Sequence, residues 1–88
     1  MPTLHVPSSL RAYSDGRARF DLEGSTLGQV FAALARECPA LATRIIEDGA
    51  IREDMAVAID GTILEGGELV LEVTPATEIY LVPPIGGG

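Results

Sequence analysis

Eighty-eight residues, 47% hydrophobic and 22% charged, suffice for one domain with a modest core and are too few for two. Six arginines, no lysine and thirteen carboxylates leave a formal charge of −7, which repels phosphate backbones and argues against a nucleic-acid partner. The single cysteine excludes an internal disulfide, and no apolar run reaches the length of a membrane span, so no membrane partner is expected.

The opening MPTLHVPSSLR lacks the basic-then-apolar layout of a signal peptide, and the expected location is cytoplasmic. TLHVP reads as a short strand with Leu4 and Val6 on one face. Ser14–Gly16 is turn chemistry, and RARFDL alternates so that Phe20 and Leu22 point together. The two runs predict an N-terminal hairpin.

The clearest helix signal lies in GSTLGQVFAALAREC. Thr26 and Gln29 have capping-box spacing. Leu27, Val30, Phe31, Leu34, Ala35 and Cys38 recur at helical intervals as one buried stripe, which makes Cys38 a core residue rather than a reactive thiol. Pro39 should end the helix near Cys38. ALATRIIEDGAIRED reads as a short helical turn followed by loop. MAVAID, ELVLEV and EIYLV are strand candidates, with turn signals at Asp60-Gly61 and Gly66-Gly67 and the linker Thr74–Thr77 before the last of them.

A hairpin, a helix and then several strands define an α+β chain, with one main helix on one face of a mixed sheet. The helix carries the chain across, so the last strand pairs in parallel beside the first. That is the ubiquitin-like β-grasp, expected over residues 1–82, with the opposite sheet face open to solvent. Residues 83–88 are expected to form a flexible C-terminal tail ending in Gly-Gly.

Catalytic signals are weak. His5 has no cysteine or second histidine with which to build a triad or metal site. LEGGE lacks the lysine and glycine spacing of a phosphate loop. Glu47-Asp48 and Glu53-Asp54 read as solvated loop charges. The chain is expected to be no enzyme by itself, to bind no cofactor and to hold no metal.

The ending EIYLVPPIGGG is more specific. Six residues from Pro83, extended at ~3.3 Å each, reach roughly 20 Å. Pro83 and Pro84 stiffen the exit, while Gly86, Gly87 and Gly88 have no side chains and suit a narrow channel in another protein. The Gly88 carboxylate becomes an acyl donor only when activated, and adenylation by ATP is the usual means.

Taken with VPSSLRAYSDG and GSTLGQVFAALARECPAL, this ending resembles the ThiS/MoaD sulfur carriers nearly end to end. Within that family the length and the TLG segment look closest to the cysteine-pathway carrier and the molybdopterin synthase small subunit. The resemblance implies that a ubiquitin-activating-type enzyme adenylates Gly88 with ATP, and that a sulfur donor (a sulfurtransferase or sulfide) displaces AMP to leave a thiocarboxylate. The thiocarboxylate would then deliver sulfur to an acceptor enzyme, with Gly86, Gly87 and Gly88 in the partner's channel. The family commonly carries an Asp-Gly-Asp-type turn where this chain has Thr74-Pro75-Ala76-Thr77. That departure leaves the pathway open among cysteine, molybdenum cofactor, thiamine and specialised-metabolite biosynthesis.

Ordering six tail residues costs on the order of 6–12 kcal/mol, so contacts from the folded body must offset it. If Ile79 and Leu81 face the helix, Tyr80 and Val82 face out. Together with Pro83, Pro84 and Ile85 they form the expected partner patch. Arg11, placed at the end of the first strand, and Arg52 are weaker interface candidates. The alternative is a ubiquitin-like modifier conjugated through Gly88 to target lysines. A third reading is a plain interaction module with an idle tail.

Overall fold

The computed structural model of the chain describes residues 1–52, 54–64 and 69–82. The alternating N-terminal runs form β1 (Thr3–His5) and β2 (Arg19–Asp21), paired antiparallel with Leu4 opposite Phe20. Between them lies a 3₁₀ helix, Ser8–Tyr13, which the sequence reading did not anticipate. Arg11 therefore sits on this helix and not at a strand end. Buried Ser14 closes the connection, its hydroxyl donating to the Arg17 carbonyl at 2.8 Å, and Asp15 and Gly16 turn the chain at positive φ.

Helix α1 (Leu27–Glu37) starts at Thr26, whose hydroxyl accepts from the Gln29 amide at 3.2 Å. The capping box is displaced by one residue: the Gln29 side chain accepts from the Ser25 amide at 2.8 Å rather than from that of Thr26. Leu27, Val30, Phe31 and Leu34 are buried as expected. Ala35 is exposed and Ala33 buried, so the stripe turns towards the i+3 side. Cys38 is half-buried against the core, and its thiol donates to the Tyr13 carbonyl at 3.1 Å.

α1 ends where Pro39 demands, but the helical path resumes at once. Pro39 occupies the first position of α2 (Pro39–Ile45), where a missing N–H costs nothing. The expected loop after it is a miniature hairpin, β3 (Ile46–Glu47) and β4 (Ala50–Ile51). Its turn residues Asp48 and Gly49 have φ of 54° and 78°, the mirror-image turn geometry that Asp-Gly favours. The same device, Asp60 and Gly61 at 48° and 89°, joins β5 (Ala56–Ile59) to β6 (Thr62–Leu64), a strand that the sequence reading missed.

Leu69–Val73, the described part of ELVLEV, forms no strand but a single bridge, Glu72 to Thr26. Leu69 and Leu71 give their carbonyls to the amides of Gly28 and Leu27 at 2.8 and 2.9 Å, and the Val73 amide donates to the Ser25 carbonyl at 2.9 Å. The segment thus satisfies first-turn donors of α1 that have no partner within the helix. It lies close: a Cβ on Gly28 would sit 3.1 Å from the Leu69 carbonyl oxygen. Its apolar residues are buried on one side only: Val73 is buried and Leu69 partly so, while Val70 stays 82% exposed. Gly66-Gly67 lies outside the described residues.

Thr74–Thr77 turns the chain into β7 (Glu78–Val82). β7 pairs in parallel with β1 and antiparallel with β5, giving the sheet order β2-β1-β7-β5-β6. Leu4, Phe20, Val57, Ile79 and Leu81 project from one face onto α1 and α2 to form the core. The fold is the expected ubiquitin-like β-grasp, with the foreseen short helical turn extended into α2 and a 3₁₀ helix added.

Candidate functional site

β7 is an interior strand, bonded on both sides, so side chains on its uncovered face stand in the middle of the sheet. Ile79 and Leu81 are buried against the helices, while Tyr80 is 43% exposed on the other face and Val82 is half-buried. The alternation read from the sequence holds for both expected patch residues within the described chain. Pro83, Pro84, Ile85, Gly86, Gly87 and Gly88 lie outside it.

The register places Tyr80 in a row that crosses all five strands. Arg19 is opposite His5, His5 opposite Tyr80, Tyr80 opposite Ala58, and Ala58 opposite Ile63. One end of the row is cationic and the other apolar, with Ile63 exposed. Val82, one step further along β7, is opposite Ala56.

His5 lies on an interior strand, its ring stacked on that of Tyr80 at 4.3 Å between centroids and 7° between planes. Its Nε2 donates to Glu78 Oε1 at 2.8 Å. The stack fixes the Tyr80 ring against its neighbour, and such pairs contribute ~0.5–1.5 kcal/mol beyond their area. Nothing local in the sequence signals the contact, because it joins residues 75 positions apart through the parallel pairing of β1 and β7.

Beside the stack is a groove of about 380 Å³, lined by His5, Val6, Pro7, Arg11, Ala18, Arg19, Tyr80 and Leu81. Arg11 is anchored at its rim, Nε donating to the Val6 carbonyl at 3.1 Å. Arg52 belongs elsewhere, paired with Asp54 at 3.1 Å and near Glu47 at 3.9 Å beside the β3–β4 hairpin. Among the described residues no group of three or more His, Cys, Asp or Glu side chains is arranged to hold a metal, and no helix is long and apolar enough to cross a membrane.

Among the described residues, an interior β7, a helix-covered core and an opposite face on which Tyr80 is exposed define a ubiquitin-like fold that presents one sheet surface. The sequence profile of the ThiS family matches residues 4–88, and the chain belongs to that family. It is similar in structure to a chain of the Amycolatopsis orientalis BexX/CysO complex, with a TM-score of 0.88 at 19% identity over 100% of both chains. Mycobacterium tuberculosis CysO, an antigen, matches with a TM-score of 0.82 at 18% identity, covering 97% of this chain and 100% of that one. At these identities the two show a common fold. The small archaeal modifier protein 1 of Methanosarcina acetivorans is 26% identical with a TM-score of 0.81, over 99% of this chain and 95% of its own. No curated protein matches the chain significantly.

Proposed function

We propose that the protein is a sulfur carrier whose Gly88 carboxylate is adenylated by a ubiquitin-activating-type enzyme using ATP and then converted to a thiocarboxylate. The observation that carries this reading is the ThiS-family match over residues 4–88, which takes in the whole Gly86–Gly88 ending. In the chemistry, the carboxylate attacks the α-phosphorus of ATP, pyrophosphate leaves, and a sulfur nucleophile then displaces AMP from the acyl carbon. The carrier contributes no catalytic group. It supplies an unhindered carboxylate on side-chain-free backbone, and the open face with Tyr80 and Val82 supplies binding energy that offsets the cost of ordering the tail. The donor is sulfide, which gives the thiocarboxylate directly, or a sulfurtransferase persulfide whose acyl disulfide a thiol reduces to the thiocarboxylate, forming a disulfide; the acceptor is a biosynthetic enzyme and the site of action the cytoplasm.

The test is the intact mass of the protein after incubation with ATP, sulfide and the host's activating enzyme. Replacement of one oxygen by sulfur at Gly88 supports the carrier. An unchanged mass with an enzyme proven active on another carrier refutes it. A second reading, a protein modifier joined through Gly88 to lysines, is favoured by the likeness at 26% identity to a protein named as a modifier. Isopeptide adducts recovered from the host, ending in Gly88, would establish that role.

A further inference from the structure

The six arginines of this acidic chain are not equivalent. Arg36 approaches Glu23 at 3.8 Å, and Arg52 pairs with Asp54 at 3.1 Å. Arg17 lies over the Phe20 ring at 3.9 Å and Arg44 over the Tyr13 ring at 4.2 Å. The remaining two, Arg11 and Arg19, pair with no carboxylate among the described residues, and both line the groove beside the His5–Tyr80 stack. Two acids on this face lie outside the groove lining, Glu78 hydrogen-bonded to His5 at 2.8 Å and Asp21 to the Thr3 hydroxyl at 3.2 Å. On a chain of charge −7, this groove carries two arginines and no acid among its described lining residues.

We propose that the groove receives an acidic side chain of the adenylating partner, which pairs with the Arg11 and Arg19 guanidinium groups as the open face docks. This rests on the carrier reading above and adds to it the chemistry and position of a contact. A protein carboxylate suits the site better than a free anion. Two exposed guanidinium groups hold a small ion weakly in water, whereas the same pairing strengthens once a protein surface covers it. The groove is also walled by Pro7 and Ala18, partly or fully exposed apolar groups that gain from contact with protein, over buried Val6 and Leu81. It adjoins β7, the strand that leads into residues 83–88, so a protein that takes the tail covers this ground. The contact also fixes orientation. A partner whose general field is basic, to match the acidic body, must place one acid here, and only one docking register satisfies both requirements.

The experiment measures pyrophosphate release by the host's activating enzyme with ATP as a function of carrier concentration. For Arg11→Glu/Arg19→Glu, KM for the carrier should rise roughly tenfold or more with kcat within about twofold, and the deficit should shrink as salt rises. Arg19→Glu alone touches no backbone hydrogen bond and should show the same effect at about threefold or more. Arg11→Lys/Arg19→Lys, which keeps charge but loses the planar fork, should fall between wild type and the reversed pair. An unchanged KM in the reversed variants, with wild type activated normally, overturns the groove assignment and leaves the carrier reading standing. Wild type that is never adenylated by an enzyme active on another carrier removes the carrier reading and the proposal with it. Saturable shifts of the arginine Nε–H signals with inorganic phosphate at about millimolar levels would reassign the groove to a free anion and also overturn the proposal.

Discussion

Tyr80→Ala separates what this residue does for the fold from what it does for a partner. The side chain is 43% exposed. A tyrosine offers roughly 200 Å², so about 90 Å² is left for a partner to cover, or ~2 kcal/mol at about 25 cal/mol per Å². That is an affinity loss of roughly 30-fold, the level that marks a binding hot spot. The part already buried, including the stack on His5 at 4.3 Å, belongs to the fold. Its loss should cost at most about 2–3 kcal/mol, lowering Tm by ~8–24 °C for a domain of this size. The variant is assayed below its own melting transition, with KM for the carrier read from pyrophosphate release by the activating enzyme. His5→Ala is the control, since it removes the stack but leaves the tyrosine to be covered, and should lower Tm with less effect on KM. A Tyr80→Ala protein with the expected fall in Tm but a KM changed by less than about threefold would show that no partner covers this face.

Val82→Asp should raise KM for activation while leaving a cooperative melt, because its side chain shares the open face and not the core; an unaltered KM would remove Val82 from the patch. Gly28→Val should destabilise by about 1–3 kcal/mol, visible as a lower urea midpoint, since even a Cβ there meets the Leu69 carbonyl oxygen at 3.1 Å. Thr26→Ala removes the acceptor for the Gln29 amide and should cost ~0.5–2 kcal/mol in the same denaturation series, with Thr26→Ser close to wild type. Deleting Gly87 and Gly88 should abolish the thiocarboxylate mass shift without moving Tm.

The elements with strong local signals were readable because one periodicity governed each of them. α1 announces itself through Thr26, a long apolar stripe and Pro39, and β7 through strict alternation around Tyr80. ELVLEV misled because a segment laid across a helix N-terminus is apolar and buried on one side just as a strand is. The β3–β4 hairpin escaped because each strand has two residues, too few to show a period, although Asp48-Gly49 carried the turn signal. At the candidate site, Tyr80 and Val82 were legible from parity along one strand. His5, Arg19, Ala58 and Ile63 were not, because their place in the row depends on the register of strands far apart in sequence. Arg11 was noticed for its charge, but only the 3₁₀ helix carries it to the groove.

The position of β7 also has a mechanical meaning. It is held laterally by β1 over three residue pairs and by β5 over four. A pull along its axis from Val82 loads both ladders in shear, so many hydrogen bonds share the force at once. On an edge strand, a sideways pull would open the bonds one after another. On the carrier reading proposed above, a partner that draws on the chain beyond Val82 loads both ladders together, so the sheet is not unzipped when the protein passes from one enzyme to the next.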